Sequence, residues 1–254
     1  EEYKRLKKLE INIDETIQFI ERCKENGLIP LTTCFTKSHV NELSDIGFES
    51  IKVASYDCAS FQLLRELAAT FKKLIVSTGA TFDGEIEHAA TILTDIEFAF
   101  LHCVTIYPTP LSEVNLGRME HLRKYTSNVG FSDHTLVSRD GLVASKAALA
   151  SGANLIERHF TVLGAEETKD GPVSVNPSQL KELVEFSNLT KDTQLNWLQE
   201  NEPGWDITLG KQERFLTHEE LLNRDYYRGR FGSLRSDLKG PATMIFNWEE
   251  VPLK

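Results

Sequence analysis

Two histidines define the chemistry this chain can attempt. VGFSDHT (129–135) and NLIERHFT (154–161) each read as a short strand, and side-chain alternation puts Ser132 on the face of His134 and Glu157 on the face of His159. Between them LVSRDGLVASKAALASGA carries apolar residues at helical spacing and stops at Gly152. Such a strand–helix–strand unit makes the two strands parallel neighbours, which brings both imidazoles to one edge of a sheet. Two imidazoles and a carboxylate there suit a divalent metal with open coordination positions. The plainer alternative has His134 capping the helix that follows and His159 as a hydrogen-bonded core residue.

A second set of groups surrounds Lys52. A lysine inside the apolar run IKVAS is costly unless it meets an anion, and Thr33, Ser55, Ser77 and Ser132 end neighbouring strand-like runs with further donors. One ammonium among several hydroxyls makes a phosphate or carboxylate site without a glycine loop. The alternative is a frayed strand end from which Lys52 reaches solvent. Tyr107, in YPTP, either hydrogen-bonds a polar substrate or plugs the space under a proline-rich loop. Glu157 serves acid–base chemistry or the metal, or else pairs with Arg158 or Lys52; alternation turns Arg158 to the opposite face, which favours the functional role. Tyr226, Tyr227, Arg228 and Arg230 form an interaction patch or a cover over the fold.

The elements that hold these groups repeat. A helical pattern over 1–26, with Ile13, Ile17 and Ile20 on one face, precedes IPLTTCF (29–35). Strand-like SIKVAS (50–55), LIVSTG (74–79), EFAFLHC (97–103) and the two histidine runs then alternate with helical segments, giving six strands at spacings that suit a parallel sheet. Each run ends in polar residues: Thr32 and Thr33, Ser55, Ser77 and Thr78, Tyr107, His134, His159. Polar strand ends all round are what a (β/α)8 barrel collects at its mouth. A doubly wound nucleotide-binding sheet would concentrate its signal in one glycine-rich turn, and neither GxGxxG nor a Walker loop is present. The expectation is a barrel over 1–200, two strands short at its N-terminal side, and an irregular extension over 201–254 punctuated by Pro203, Gly204, Gly229, Gly232, Gly240 and Pro241.

Composition narrows the partners. A chain of 254 residues with 41% hydrophobic content has room for one α/β barrel or two smaller domains. A net charge of -10 and a pI near 5.3 argue against nucleic acid and anionic membranes, yet leave room for an anionic substrate in a locally positive site. Cys23, Cys34, Cys58 and Cys103 are scattered without CxxC spacing, so free thiols in a reducing cytoplasm are expected. No apolar run approaches membrane-spanning length, and EEYKRLKKLE is not a signal peptide.

KVAS, LIVSTGA, LHCVTIYPTP, VGFSDHT and IERHFT, in this order and at similar separations, resemble the sialic acid synthase family, the NeuB-type barrels that use phosphoenolpyruvate. The resemblance runs from Gly27 to Val184. It implies a (β/α)8 barrel that condenses phosphoenolpyruvate with the aldehyde form of N-acetylmannosamine or a related acylamino sugar, giving a 2-keto sugar acid and phosphate. It implies that His134 and His159 hold a divalent metal, commonly manganese, that Thr33, Lys52, Ser55, Ser77 and Ser132 surround phosphoenolpyruvate, and that Tyr107 contacts the acceptor sugar. Lys52 and Glu157 are the residues expected to act in catalysis, Glu157 by handling a proton or supporting the metal.

Three features depart from the family pattern. Members begin with two further strands, which carry a glutamate, a lysine and a glutamine; the sequence shows neither strand. Thr105 stands where asparagine is usual, and Val173 where an acidic residue follows GP, so Asp170 takes over the sugar contact only if its loop folds inward. The C-terminal antifreeze-like domain, which lends an arginine to a partner subunit in a homodimer, is not recognisable after Asn201. Two other functions remain open at this stage. One is a related barrel synthase or aldolase with another aldehyde acceptor; the other is a non-catalytic barrel that binds a phosphorylated ligand or a protein.

Overall fold

The computed structural model describes residues 2–227, 232–234 and 244–246. Six strands, β1 (Thr32–Thr33), β2 (Ser50–Val53), β3 (Lys73–Ser77), β4 (Glu97–Cys103), β5 (Val129–Asp133) and β6 (Ile156–Arg158), form one sheet in sequential order, and every neighbouring pair is parallel. A doubly wound sheet reverses its strand order at a switch point; an unbroken order of parallel strands is the wall of a (β/α)8 barrel. The sheet is six strands of that wall, as the alternation led one to expect.

Helices α1 (Glu2–Lys7) and α2 (Ile13–Glu25) precede the sheet, and α3 (Val40–Asp45), α4 (Phe61–Thr70), α5 (Asp83–Leu93), α6 (Arg118–Leu122), α7 (Val137–Asp140) and α8 (Val143–Ala150) connect its strands. The helical pattern expected over 1–26 is thus two helices. Asn12 restarts the chain: its side chain accepts from the Glu15 amide while Glu15 reaches back to the Asn12 amide, which caps α2. Of the three isoleucines on one face, Ile20 is buried and Ile13 exposed, so α2 packs through its C-terminal half.

Alternation along the strands separates two environments. Ile51, Val53, Leu74, Val76, Phe98, Phe100, Val129 and Phe131 face the helices and pack with Leu63, Leu64 and Leu67 of α4 and with residues of α5, α6 and α8. Cutting one of these fully buried leucines to alanine would cost roughly 2–5 kcal/mol. The intervening residues face the lumen in layers fixed by the register: Ser77 beside Leu101 and Gly130, then Cys103 beside Ser132 and Glu157.

After β6 come α9 (Pro177–Ser187), capped by Asn176, then α10 (Lys191–Asn201) and α11 (His218–Tyr227). The extension expected to be irregular contains this last helix, and it packs on the barrel. Trp205 joins the core, and the Thr208 and Leu209 carbonyls accept from the Leu116 and Gly117 amides at 2.8 and 2.6 Å. Farther on, β7 (Gly232–Leu234) and β8 (Met244–Phe246) pair antiparallel. The patch at Tyr226, Tyr227, Arg228 and Arg230 lies outside the described side chains. Among the described residues no helix is long and apolar enough to cross a membrane.

Candidate active site

Lys52 and Glu157 meet across the lumen, from β2 and β6. The Lys52 ammonium lies 2.8 Å from Glu157 Oε2 and donates to Oε1 at 3.1 Å, and Ser132 Oγ donates to the same Oε1 at 2.6 Å. Lys52 therefore meets an anion, as its apolar strand demanded, and the anion is the protein's own carboxylate. Burial works to raise the pKa of Glu157, but the Lys52 charge and the hydrogen bonds from Lys52 and Ser132 outweigh it and hold the carboxyl below its ordinary range. Glu157 is ionised at neutral pH, an acceptor rather than an acid.

A rim of hydroxyls adjoins this pair. Thr33 is the register partner of Lys52. Ser55 Oγ accepts from the Gly79 amide at 3.2 Å, and a Cβ on Gly79 would fall 2.6 Å from Thr105 Cγ2, 2.9 Å from Ser55 Oγ and 3.0 Å from Cys103 Sγ. The glycine of LIVSTGA is thus required by close approach, since no side chain fits between β2, β3 and β4 there. Ser77 Oγ and Thr105 Oγ1 are buried without a hydrogen-bond partner. Two unpaired buried hydroxyls are a costly arrangement unless a ligand completes them.

The histidines stand at the mouth. His134 and His159 have ring centroids 5.3 Å apart, and the Tyr107 ring lies 4.0 Å from that of His134. Burial, then the nearby His159, depress the pKa of His134 to about 4, so its ring is neutral. Its Nε2 lies 2.8 Å from the Tyr107 hydroxyl, within hydrogen-bond reach. Half of the Tyr107 surface is exposed, so the ring does not plug the space beneath the proline-rich loop. Asp170 Oδ2 lies 3.8 Å from His159 Nδ1. The Asp170 side chain stays 53% exposed; after it, Val175 donates to the His159 carbonyl at 2.8 Å, and Gly171 sits so close to Ala165 that a Cβ would fall 1.9 Å from its carbonyl oxygen. Val173 is buried beneath it.

These residues fit a divalent ion through few protein ligands. Among the described residues no group of three or more His, Cys, Asp or Glu side chains converges as a metal cage. What the mouth offers is two imidazoles on adjacent strands, their ring centroids 5.3 Å apart and one of them neutral. An ion so held keeps most of its positions for water or substrate.

Several groups at the site escaped the sequence reading. Cys103 stands in register with Ser132, its Sγ 3.8 Å from His134 Nδ1, and desolvation by burial pushes its thiol up to about 11. Alternation from Leu101 would have placed it on the lumen face. Asn223 of α11 donates to the Thr105 carbonyl at 2.7 Å, and Arg224 donates to the Ala80 carbonyl at 2.7 Å and pairs with Glu85. No apolar periodicity marks that helix; polar side chains dock it.

The fold and the site together define a parallel (β/α) barrel that carries a cation, a carboxylate, hydroxyls and two histidines at its strand ends. Residues 1–195 match the NeuB family, and the chain belongs to that family. It is 35% identical over 184 residues to N,N'-diacetyllegionaminic acid synthase of Campylobacter jejuni, covering 70% of this chain and 54% of that protein. It is 32% identical over 186 residues to N-acetylneuraminate-9-phosphate synthase of Drosophila melanogaster, covering 69% and 48%. The crystal structure of N-acetylneuraminic acid (sialic acid) synthetase from Leptospira borgpetersenii, in complex with citrate, superposes with a TM-score of 0.67 at 29% identity, covering 85% of this chain and 70% of that one. The chain spans about half the length of the curated relatives it matches.

Proposed function

We propose that the protein condenses phosphoenolpyruvate with an acylamino sugar, N-acetylmannosamine or a relative, to give a 2-keto sugar acid of the sialic or nonulosonic class and phosphate. The observation that carries the reading is the lumen of this NeuB-family chain, where Lys52 and the unpaired hydroxyls of Ser77 and Thr105 face the strand ends below two histidines. The names of the relatives support the same chemistry.

Lys52 with Thr33, Ser55, Ser77 and Ser132 binds the carboxylate and phosphate of phosphoenolpyruvate, so that its methylene carbon faces the mouth. That carbon attacks the aldehyde carbon: a C–C bond forms, the C=O π pair moves onto the aldehyde oxygen, and that oxygen takes a proton to become the new hydroxyl. Water adds to the cationic carbon left behind, giving one proton to Glu157 Oε2; the carbon–oxygen bond to phosphate then breaks as the new hydroxyl becomes the ketone, its proton leaving with the phosphate. Tyr107 and Asp170 orient the sugar. A divalent ion at His134 and His159, manganese by the family resemblance, would supply Lewis acidity to the aldehyde oxygen and positive charge against a ligand that Lys52 alone underbalances. The test is phosphate release from phosphoenolpyruvate with Mn²⁺ across a panel of acylamino and neutral aldoses, with calorimetry in parallel. Keto acid and phosphate in equal amounts, abolished by chelation, are expected; phosphoenolpyruvate binding without phosphate release for any aldose would make this a binding barrel.

A further inference from the structure

Directly behind the histidines, on the helix side of the sheet, lies a charge pair that the proposed reaction does not use. Asp133 and Arg158 are register partners, the last pair of the β5–β6 ladder. Arg158 NH1 lies 2.6 Å from Asp133 Oδ1, with side chains 2% and 0% exposed. Asp133 is fully engaged: Oδ1 also accepts from the Thr135 amide at 2.9 Å and the Thr135 hydroxyl at 2.8 Å, and Oδ2 accepts from Ser145 Oγ of α8 at 2.5 Å. Arg158 is not, for its Nε and NH2 have no hydrogen-bond partner.

A buried pair left this incomplete contributes little net stability, because desolvation of both ions offsets most of their attraction. What it does is fix a geometry. His134 and His159 are the next residues on the two strands, pointing the other way into the lumen. Beyond the charge pair the strands share no further ladder contact, and each histidine is bound into a different segment: the His134 carbonyl accepts from Thr109 at 2.9 Å and the His159 carbonyl from Val175 at 2.8 Å. The Asp133 carboxylate, reaching forward to the Thr135 amide, also brackets the backbone of His134.

We infer that Asp133 and Arg158 are positioning residues, a clasp that joins β5 to β6 one residue before each histidine, sets the separation of the two rings, and thereby sets the affinity for a divalent cation between them. The cation in that statement rests on the function proposed above; the ring separation does not.

The test compares wild type with Asp133→Asn, Arg158→Met and the double variant. Asparagine keeps an oxygen for Thr135 and turns an amide N–H toward Ser145 Oγ, which can accept it, methionine keeps the stem, and the double variant leaves no buried charge unpaired, so it is expected to melt near wild type. Ring-to-ring nuclear Overhauser contacts among Tyr107, His134 and His159 are read in metal-free protein, and Mn²⁺ affinity by paramagnetic resonance. The double variant should lose the His134–His159 contact and bind Mn²⁺ about 10- to 100-fold more weakly. Arg158→Lys keeps the charge, but its ammonium stops short of the position NH1 occupies against Asp133, so it should show a weakened ring contact even if the double variant does not fold. Unchanged ring contacts in the double variant, or in Arg158→Lys where that alone folds, would overturn the clasp. A wild-type protein that binds no Mn²⁺ would remove the metal from the argument, and the ring contacts would still decide the clasp.

Discussion

Residues 157 and 158 of one strand each hold an ion pair, one on either face of the sheet, and the two pairs differ in water. Lys52–Glu157 in the lumen is 10% and 39% exposed; Arg158–Asp133 behind it is 2% and 0% exposed. At 4 Å two unit charges attract by about 1 kcal/mol in bulk water and about 4 kcal/mol at the effective dielectric of a protein surface site. The wetter pair is therefore open to competition from an incoming anion, while the dry pair cannot exchange partners without stranding a charge. A basic and an acidic side chain thus make an exchangeable pair on one face and a fixed one on the other.

The most damaging way to probe that contrast is to remove one cation at a time. Arg158→Met strands the Asp133 carboxylate in a dry site and should cost about 3–5 kcal/mol, read as a shift of the urea midpoint, whereas Lys52→Met leaves Glu157 near water and should cost no more than about 1 kcal/mol. Equal losses would end the distinction. Ligand binding should reverse the ranking: Lys52→Met is expected to lose phosphoenolpyruvate affinity by roughly 100-fold in calorimetry, as one charged partner of a buried ligand is removed.

Dryness of the outer face can be sharpened by pH. His102 lies on that face, stacks on Phe131, donates Nε2–H to the Val114 carbonyl, and is depressed to about 3 by burial and the nearby Arg214. Its folded pKa lies below the ordinary value, so the unfolded chain takes up the proton first and the contribution to stability, present at pH 7, is lost as pH falls below about 6.5 toward 3. Stability should drop by about 2 kcal/mol between pH 7 and pH 5 on account of this ring, and His102→Gln, which can keep the bond to Val114, should flatten that part of the profile. A variant with the wild-type slope would show the ring to be wetter than its burial. The smallest effect is expected on the inner face: with Thr105 at the β4 end, the acceptor sugar should differ from N-acetylmannosamine by about tenfold in kcat/KM, the cost of one imperfectly paired hydroxyl. Thr105→Asn should move preference toward N-acetylmannosamine, and a wild type that already favours it by a wide margin would defeat the idea.

Much of this arrangement could be read from the sequence because the strand period is two. Once VGFSDHT and NLIERHFT were strands, the facing of Ser132, His134, Glu157 and His159, and the turning away of Arg158, followed from alternation, and the sequential strand order followed from the βα repeat. Partners were less legible. Lys52 and Glu157 are 105 positions apart, and alternation puts both in the lumen without saying that they touch. The Ser145–Asp133 bond joins a helix to a strand through a turn, and Asn223 docks a helix with no apolar face of its own, so neither leaves a periodic trace. Asp170 reached His159 because Gly171 lets the loop press against Ala165, a contact that local propensity does not encode.

Gly130 shares a lumen layer with Ser77 and Leu101. A Cβ there would fall 2.4 Å from the Leu155 carbonyl oxygen and 2.7 Å from both Leu155 Cβ and a Leu101 methyl. The lumen-facing positions of β5 then read as a tolerance scale for substitution during descent. At 132 and 134 a change of residue alters chemistry and leaves the wall in place. At 130 a single methyl group would push β6 outward and carry Glu157 and His159 away from their partners together, so a lineage could exchange its substrate many times while that one hydrogen atom stayed the least negotiable part of the site.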